Sequence, residues 1–216
     1  MGKYVVFDGM DGSGKGTQIE FLKRKLDSIV VFTREPGGTP LAEEIRGLIL
    51  AKETTPLNNF LLFWAAREEL QRNFVGPTLR SGKHVFSDRG DSSTFAFQVC
   101  GEQHEELIDL FMRLRSIVFD TNSGQREPDL YIIFDLPAEV ARERALGGAN
   151  RAVNHLDARD LAYYKRVRDG FHQFVDCPGP EKVEFIDATR SVEEIHRNVL
   201  MVLAAKMVIP ELAFFV

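Results

Sequence analysis

Residues 3–21 read KYVVFDGMDGSGKGTQIEF. An apolar run over 3–8 is followed by a glycine-rich turn, and apolar residues then recur at Ile19, Leu22 and Leu26, a helical period. The stretch is therefore predicted to be a buried strand, a loop and a helix. Within it Gly9 to Gly16, GMDGSGKG, matches the phosphate-binding pattern G-x-x-x-x-G-K-[ST] up to its last letter, where a hydroxyl residue is replaced by Gly16. Backbone N–H groups at a helix N-terminus carry partial positive charge, so a loop of this kind suits a polyphosphate. Gly9, Gly12, Ser13, Gly14, Lys15, Gly16 and Thr17 are the expected nucleotide cradle, with Lys15 reaching the β- and γ-phosphates. Gly16 removes a hydroxyl that would ligate Mg²⁺. Since Mg²⁺ keeps several waters and takes few protein ligands, binding does not require that hydroxyl.

Outward from this loop, short β-rich runs alternate with helical ones. IVVFT (29–33), HVFSD (84–88), LYIIFDL (130–136) and VEFID (183–187) read as four further strands. Helical patterns cover LAEEIRGLIL (41–50), a long stretch from Pro56 through NNFLLFWAAREELQRNF, and the closing SVEEIHRNVLMVLAAK. This alternation predicts an α/β fold with helices on both faces of a five-stranded parallel sheet. A single domain over 1–216 is expected, with a lid at about 145–157 centred on GGANRAVN (147–154). The terminal VIPELAFFV is expected to dock on the core or on a subunit partner.

Bulk composition narrows the function classes. With 216 residues and 44% hydrophobic content, the chain can bury one sizeable core. A formal net charge of -5 argues against a general nucleic-acid or membrane-surface binder. The two cysteines, Cys100 and Cys177, lie far apart without metal-ligand spacing, so a reduced, cytoplasmic compartment is expected. No signal peptide is expected, and no apolar run reaches the roughly 20 residues of a membrane span.

After the second strand comes TREPGGTPLAEEIR (33–46), where turn chemistry explains the Pro and Gly letters but not Arg34 and Arg46. Guanidinium forks around a phosphate dianion do explain them. The GKGTQ ending of the phosphate loop resembles adenylate kinases. TREPGGT with its following helix resembles bacterial-type thymidylate kinases more specifically, and the agreement continues in order. LLFWAAREEL (61–70), DRGDSSTFAFQ (88–98), REPDLYIIFDLPAEVARER (126–144), YYKRVRDGF (163–171) and IDATRSVEEI (186–195) are similar to that family's successive motifs. The resemblance covers essentially the whole chain.

The resemblance implies a P-loop nucleoside monophosphate kinase fold and transfer of the ATP γ-phosphoryl to dTMP, giving dTDP and ADP for dTTP synthesis. ATP and dTMP would be its small-molecule partners and Mg²⁺ its cofactor; it implies a homodimer and neither nucleic acid nor membrane. Asp11 would accept from the acceptor sugar's 3′-hydroxyl. Phe63 would stack on the pyrimidine and Arg67, one helical turn on, would donate to its O4. Pro36 would border the 5-methyl group, with Glu35 beside it in the same motif. Thr94 and Gln98 would complete the edge reading and sugar contact, while Phe97 would crowd the 2′ position. Arg34, Arg46 and Arg89 would hold the acceptor phosphate, and Asp88 would bind Mg²⁺ through water. Ala188 and Arg190 mark the place of the donor adenine. Taken singly, each has a plainer reading: Phe63 and Phe97 as core aromatics, Arg67 as a solvated helix residue, Asp88 as a helix cap.

Two departures from the family pattern matter. In the lid, Asn150 replaces the family's acidic residue and the segment is a few residues longer; because Gly12 is uncharged the extra catalytic cation is expected from this lid, with Arg151 the first candidate and Arg142 and Arg144 as alternatives. Gly90 stands where the family has Tyr or His, either making room for a larger or 5-substituted acceptor or relaxing a backbone turn. The competing functions are a broader deoxynucleotide kinase, an adenylate or pyrimidine-ribonucleotide kinase, and a nucleotide-binding regulator without transferase activity.

Overall fold

The structure is a computed structural model describing residues 2–120, 124, 126–147 and 159–209. Five strands form its sheet: β1 (Tyr4–Gly9), β2 (Val30–Arg34), β3 (His84–Asp88), β4 (Leu130–Asp135) and β5 (Val183–Asp187). Their order is β2-β3-β1-β4-β5 and every pairing is parallel. Helices cover both faces, as a parallel sheet requires. Central β1 is buried along its whole length, which is why its sequence is a continuous apolar run rather than an alternation. All five strands end at one edge, so Gly9, Arg34, Asp88, Asp135 and Asp187 lie along the same rim. The connection after β1 runs to β2 on one side of it and the connection after β3 runs to β4 on the other, and that reversal is where an open α/β sheet forms its ligand crevice.

The helices begin where the sequence supplies capping chemistry. In α2 (Pro40–Ala51) and α3 (Pro56–Leu70) a threonine cap precedes a proline at the first position, so the missing N–H is one that would have been orphaned anyway. Asp160 caps α8 (Leu161–Gln173), and Ser191 with Glu194 forms a capping box on α9 (Val192–Ala205). Not every helix has such a cap, and α1 (Lys15–Leu26), at the phosphate loop, is one without. Its cap is Gly14 at φ 81, with no side-chain hydrogen bond, so no side chain covers the N–H groups that open the helix.

The helical stretch from Pro56 runs further than its apolar pattern suggests. A wide π-type segment at Gln71–Val75 joins α3 to α4 (Gly76–Arg80). Pro77 falls in the first turn of α4, where its lack of an N–H is tolerated, so it does not end the helix there. A second π-type segment, Thr94–Gly101, continues α5 (Asp91–Ser93). The remaining helices are α6 (Ile108–Val118) and α7 (Ala138–Gly147). Other boundaries shift by one or two residues. β1 reaches Gly9 because it still pairs with Phe134 there, and α1 starts at Lys15, a turn before the first apolar residue of its periodic pattern, Ile19. Val208 and Ile209 are buried against the core; the rest of VIPELAFFV lies outside the described residues.

Candidate active site

The loop between β1 and α1 wraps the crevice edge. Lys15, almost buried, points across it and pairs with Asp88 at the end of β3. Burial and the nearby Arg89 hold the ammonium below its usual pKa in spite of Asp88. Burial would raise the Asp88 carboxyl, but Lys15 and Arg89 outweigh it and keep it below the usual range. The two groups thus neutralise each other while poised at the mouth of the loop. A Cβ built on Gly16 meets nothing within 4 Å. The absent hydroxyl is therefore not forced by lack of room. Gly12 differs: at φ 83, its Cβ would lie 2.4 Å from the Ala141 carbonyl of α7, so no side chain fits while α7 is packed there.

Beside this loop opens a cavity of about 280 Å³. Its walls come from six segments. The phosphate loop gives Asp11; the end of β2 and the turn after it give Arg34, Glu35 and Pro36; α2 gives Arg46, Ile49 and Leu50; α3 gives Phe63. The end of β3 and the segment after it add Asp88, Arg89, Ser93, Phe97 and Gln98, and α8 adds Tyr163. At the mouth Arg34 donates to both oxygens of Glu43, at 3.0 and 2.9 Å. Arg46 donates to the Pro36 carbonyl at 3.1 Å. Arg89 donates to Asp11 at 2.8 Å and lies over the Phe97 ring, 5.1 Å from its centroid.

Arg67 and Thr94 sit behind this wall rather than in it. Arg67 is 1% exposed, so the solvated-residue reading fails. Its Nε donates to Glu35 at 2.7 Å, its Nη2 donates to Thr94 at 3.0 Å, and its guanidinium lies 4.5 Å over Trp64. Its Nη1 is buried without a hydrogen-bond partner among the described residues. A buried donor left unpaired is costly, so an acceptor atom delivered by a ligand would complete the set. Glu35 also accepts from Tyr4 at 3.3 Å, and burial pushes its carboxyl up to about 7 although Arg67 pulls the other way.

On the other flank Arg190 is exposed and paired with Asp187, while Ala188 is buried with its carbonyl accepting from Arg144 at 3.1 Å. Arg142 donates to the Arg159 carbonyl. Arg151 and most of the lid segment lie outside the described residues.

Gly90 does not face the acceptor cavity. A Cβ there would sit 2.9 and 3.0 Å from the two γ-methyls of Val6 in β1. Its φ of -161 is ordinary extended backbone, so neither acceptor space nor a relaxed turn accounts for it. Close packing between β1 and the chain leaving β3 does. Tyr163, Ser93, Ile49 and Leu50 escaped the sequence reading; Tyr163 opens the YYKRVRDGF motif, the one signal that pointed to it.

The thymidylate kinase family model matches residues 7–199. Among curated proteins, the thymidylate kinase of Cupriavidus necator is 35% identical over 208 residues, covering 94% of this chain and 98% of that one. That of Cupriavidus metallidurans is 38% identical over 196 residues, covering 90% and 94%. Among solved structures, thymidylate kinase from Ehrlichia chaffeensis superposes with a TM-score of 0.74 at 31% identity, covering 94% of this chain and 98% of that one.

Proposed function

This chain belongs to the thymidylate kinase family, and from that premise we propose how its residues carry the reaction. It transfers the γ-phosphoryl of ATP to dTMP, giving dTDP and ADP. The observation that carries the residue assignment is the meeting of the Lys15 loop and the acceptor cavity at Asp88, Arg89 and Asp11.

ATP would lie along the loop with its phosphates on the open N–H groups of α1 and its adenine beside Ala188 and Arg190. Lys15 would exchange Asp88 for the β- and γ-phosphate oxygens. dTMP would enter the cavity with its ring against Phe63, its methyl group towards Pro36 and its O4 on Arg67. Its 3′-hydroxyl would donate to Asp11, and Phe97 would leave no room for a 2′-hydroxyl. Arg34, Arg46 and Arg89 would hold its phosphate. An acceptor phosphate oxygen then attacks the γ-phosphorus in line. The bond to the β–γ bridging oxygen breaks, and ADP leaves with that electron pair. No covalent enzyme intermediate forms. The role of these residues is positioning and charge stabilisation, the main demands of phosphoryl transfer.

Mg²⁺ fits this site. No group of three or more His, Cys, Asp or Glu among the described residues would hold a metal unaided. One carboxylate, Asp88, stands at the loop mouth with open space at Gly16 for water, which suits an ion that shares its shell with phosphates and solvent. When bound, the ion neutralises charge on the transferring phosphates. We assign the additional lid cation to Arg151. The cytoplasm is the expected compartment; among the described residues no helix is long and apolar enough to cross a membrane.

The test is product analysis with ATP and dTMP. ADP and dTDP should appear in equal amounts, and Lys15→Ala should cut turnover by at least about 100-fold, the scale of losing a charge-stabilising donor. Near-normal turnover in that variant would refute the site.

A further inference from the structure

Asp8, the residue before the phosphate loop, is fully buried in the central strand, where a carboxylate is costly unless fully bonded. Here it is saturated. Oδ1 accepts from the Gly9 N–H at 2.9 Å, from Ser93 at 2.7 Å and from Arg89 Nη1 at 3.3 Å; Oδ2 accepts from Ser92 at 2.6 Å. Arg89 Nη1 also reaches the Gly9 carbonyl at 3.2 Å and Ser93 at 3.0 Å. Arg89 itself has φ 72, an uncommon conformation for a non-glycine residue, so its backbone is held against a local preference. Its two terminal nitrogens differ in kind. Nη1 is committed to buried partners, whereas Nη2 donates to Asp11, which lines the acceptor cavity.

We infer that Asp8 is the positioning residue for Arg89: it anchors Nη1 so that Nη2 alone exchanges between Asp11 and an acceptor phosphate. The same Asp8 oxygen holds the first glycine of the donor loop. One buried carboxylate thus fixes the donor cradle and the acceptor-side arginine to a common pivot. Exchange at Nη2 swaps one anion for another, while the Nη1 anchor spares the guanidinium a search for its orientation, as preorganised sites require. A well-packed apolar residue would hold this place more cheaply if structure were the only demand.

The inference rests on the acceptor role assigned above to Arg89, and the experiment separates the two. Asp8→Asn keeps the shape and one accepting oxygen but removes the charge. The amide oxygen still accepts from the Gly9 N–H and so keeps the donor loop, while the ion pair to Arg89 is lost; KM for dTMP should rise and kcat fall, together lowering kcat/KM by about 10- to 100-fold, with KM for ATP changed less than about twofold. Equal changes in both KM values, or wild-type kinetics, would overturn the pivot. Ser93→Ala and Ser92→Ala form a second pair should Asp8→Asn not fold. Ser93 touches both Asp8 and Arg89 and should weaken dTMP selectively, whereas Ser92 touches only the far oxygen and should leave KM for dTMP unaltered. Identical behaviour of the two would also overturn it. Wild-type enzyme that fails to turn over dTMP in the same assay would overturn the acceptor reading and the pivot together.

Discussion

Glu35 sits where acceptor recognition and acid–base behaviour meet. Its carboxylate fixes Arg67, yet burial raises it from an ordinary 4.5 to about 7. The folded state therefore keeps this proton up to about pH 7, while the unfolded chain releases it near 4.5. Between those values the folded state binds more protons, so this group makes the protein less stable as pH rises across the window, by on the order of 3 kcal/mol. Denaturant titrations of wild type and Glu35→Gln at pH 5 and pH 8 check this. The wild type should lose more stability than the variant between the two pH values, and parallel losses would remove Glu35 as the source. Arg67→Ala should raise KM for dTMP at least about tenfold with KM for ATP unchanged, and should destabilise by about 2–5 kcal/mol because a large buried side chain and its hydrogen bonds to Glu35 and Thr94 are lost. A motif pointed to Phe63, which lines the cavity, and to Arg67, which is buried behind its wall. Asp8 was not legible in this way, because one acid inside an apolar strand pattern carries no sign of the four groups that fold back onto it.

Two glycines at element boundaries show opposite surroundings. The first, Gly16 at the uncapped start of α1, has open space around it. Gly16→Thr should fold normally and reach half-maximal rate at lower Mg²⁺ than wild type; a raised Mg²⁺ requirement would show that the hydroxyl is not oriented towards the metal. The second is Gly90 against Val6. Gly90→Ala should cost about 1–3 kcal/mol by overpacking, and Val6→Ala in the same chain should recover part of that loss, a coupling readable in a double-mutant cycle. The strand–loop–helix order and all five strands could be read from periodicity, since each is a short apolar run bounded by turn residues. The π-type joins after Leu70 and Ser93 could not, because a widened turn leaves the apolar pattern nearly intact and Gly76-Pro77 imitates a stop.

Over the whole molecule, one sheet edge collects the chemistry. Leu57 and Leu61, four apart on α3, are 46% and 44% exposed, and Met112 and Ile117 are exposed on neighbouring α6. We propose that the Leu57 and Leu61 stripe of α3 joins two copies. Light scattering should give twice the chain mass, and Leu57→Lys with Leu61→Lys should reduce it to one. The layered fold followed from sequence because a parallel sheet needs alternating elements, whereas no local pattern joins the walls of the cavity, which arrive from segments as distant as Asp11 and Tyr163. The central claim is that this cavity selects a thymine deoxynucleotide, and an acceptor panel tests it most directly. Measured as kcat/KM with ATP, dTMP should exceed dUMP, 5-hydroxymethyl-dUMP, the purine deoxynucleotides and UMP. Equal values for purine and pyrimidine acceptors would contradict it.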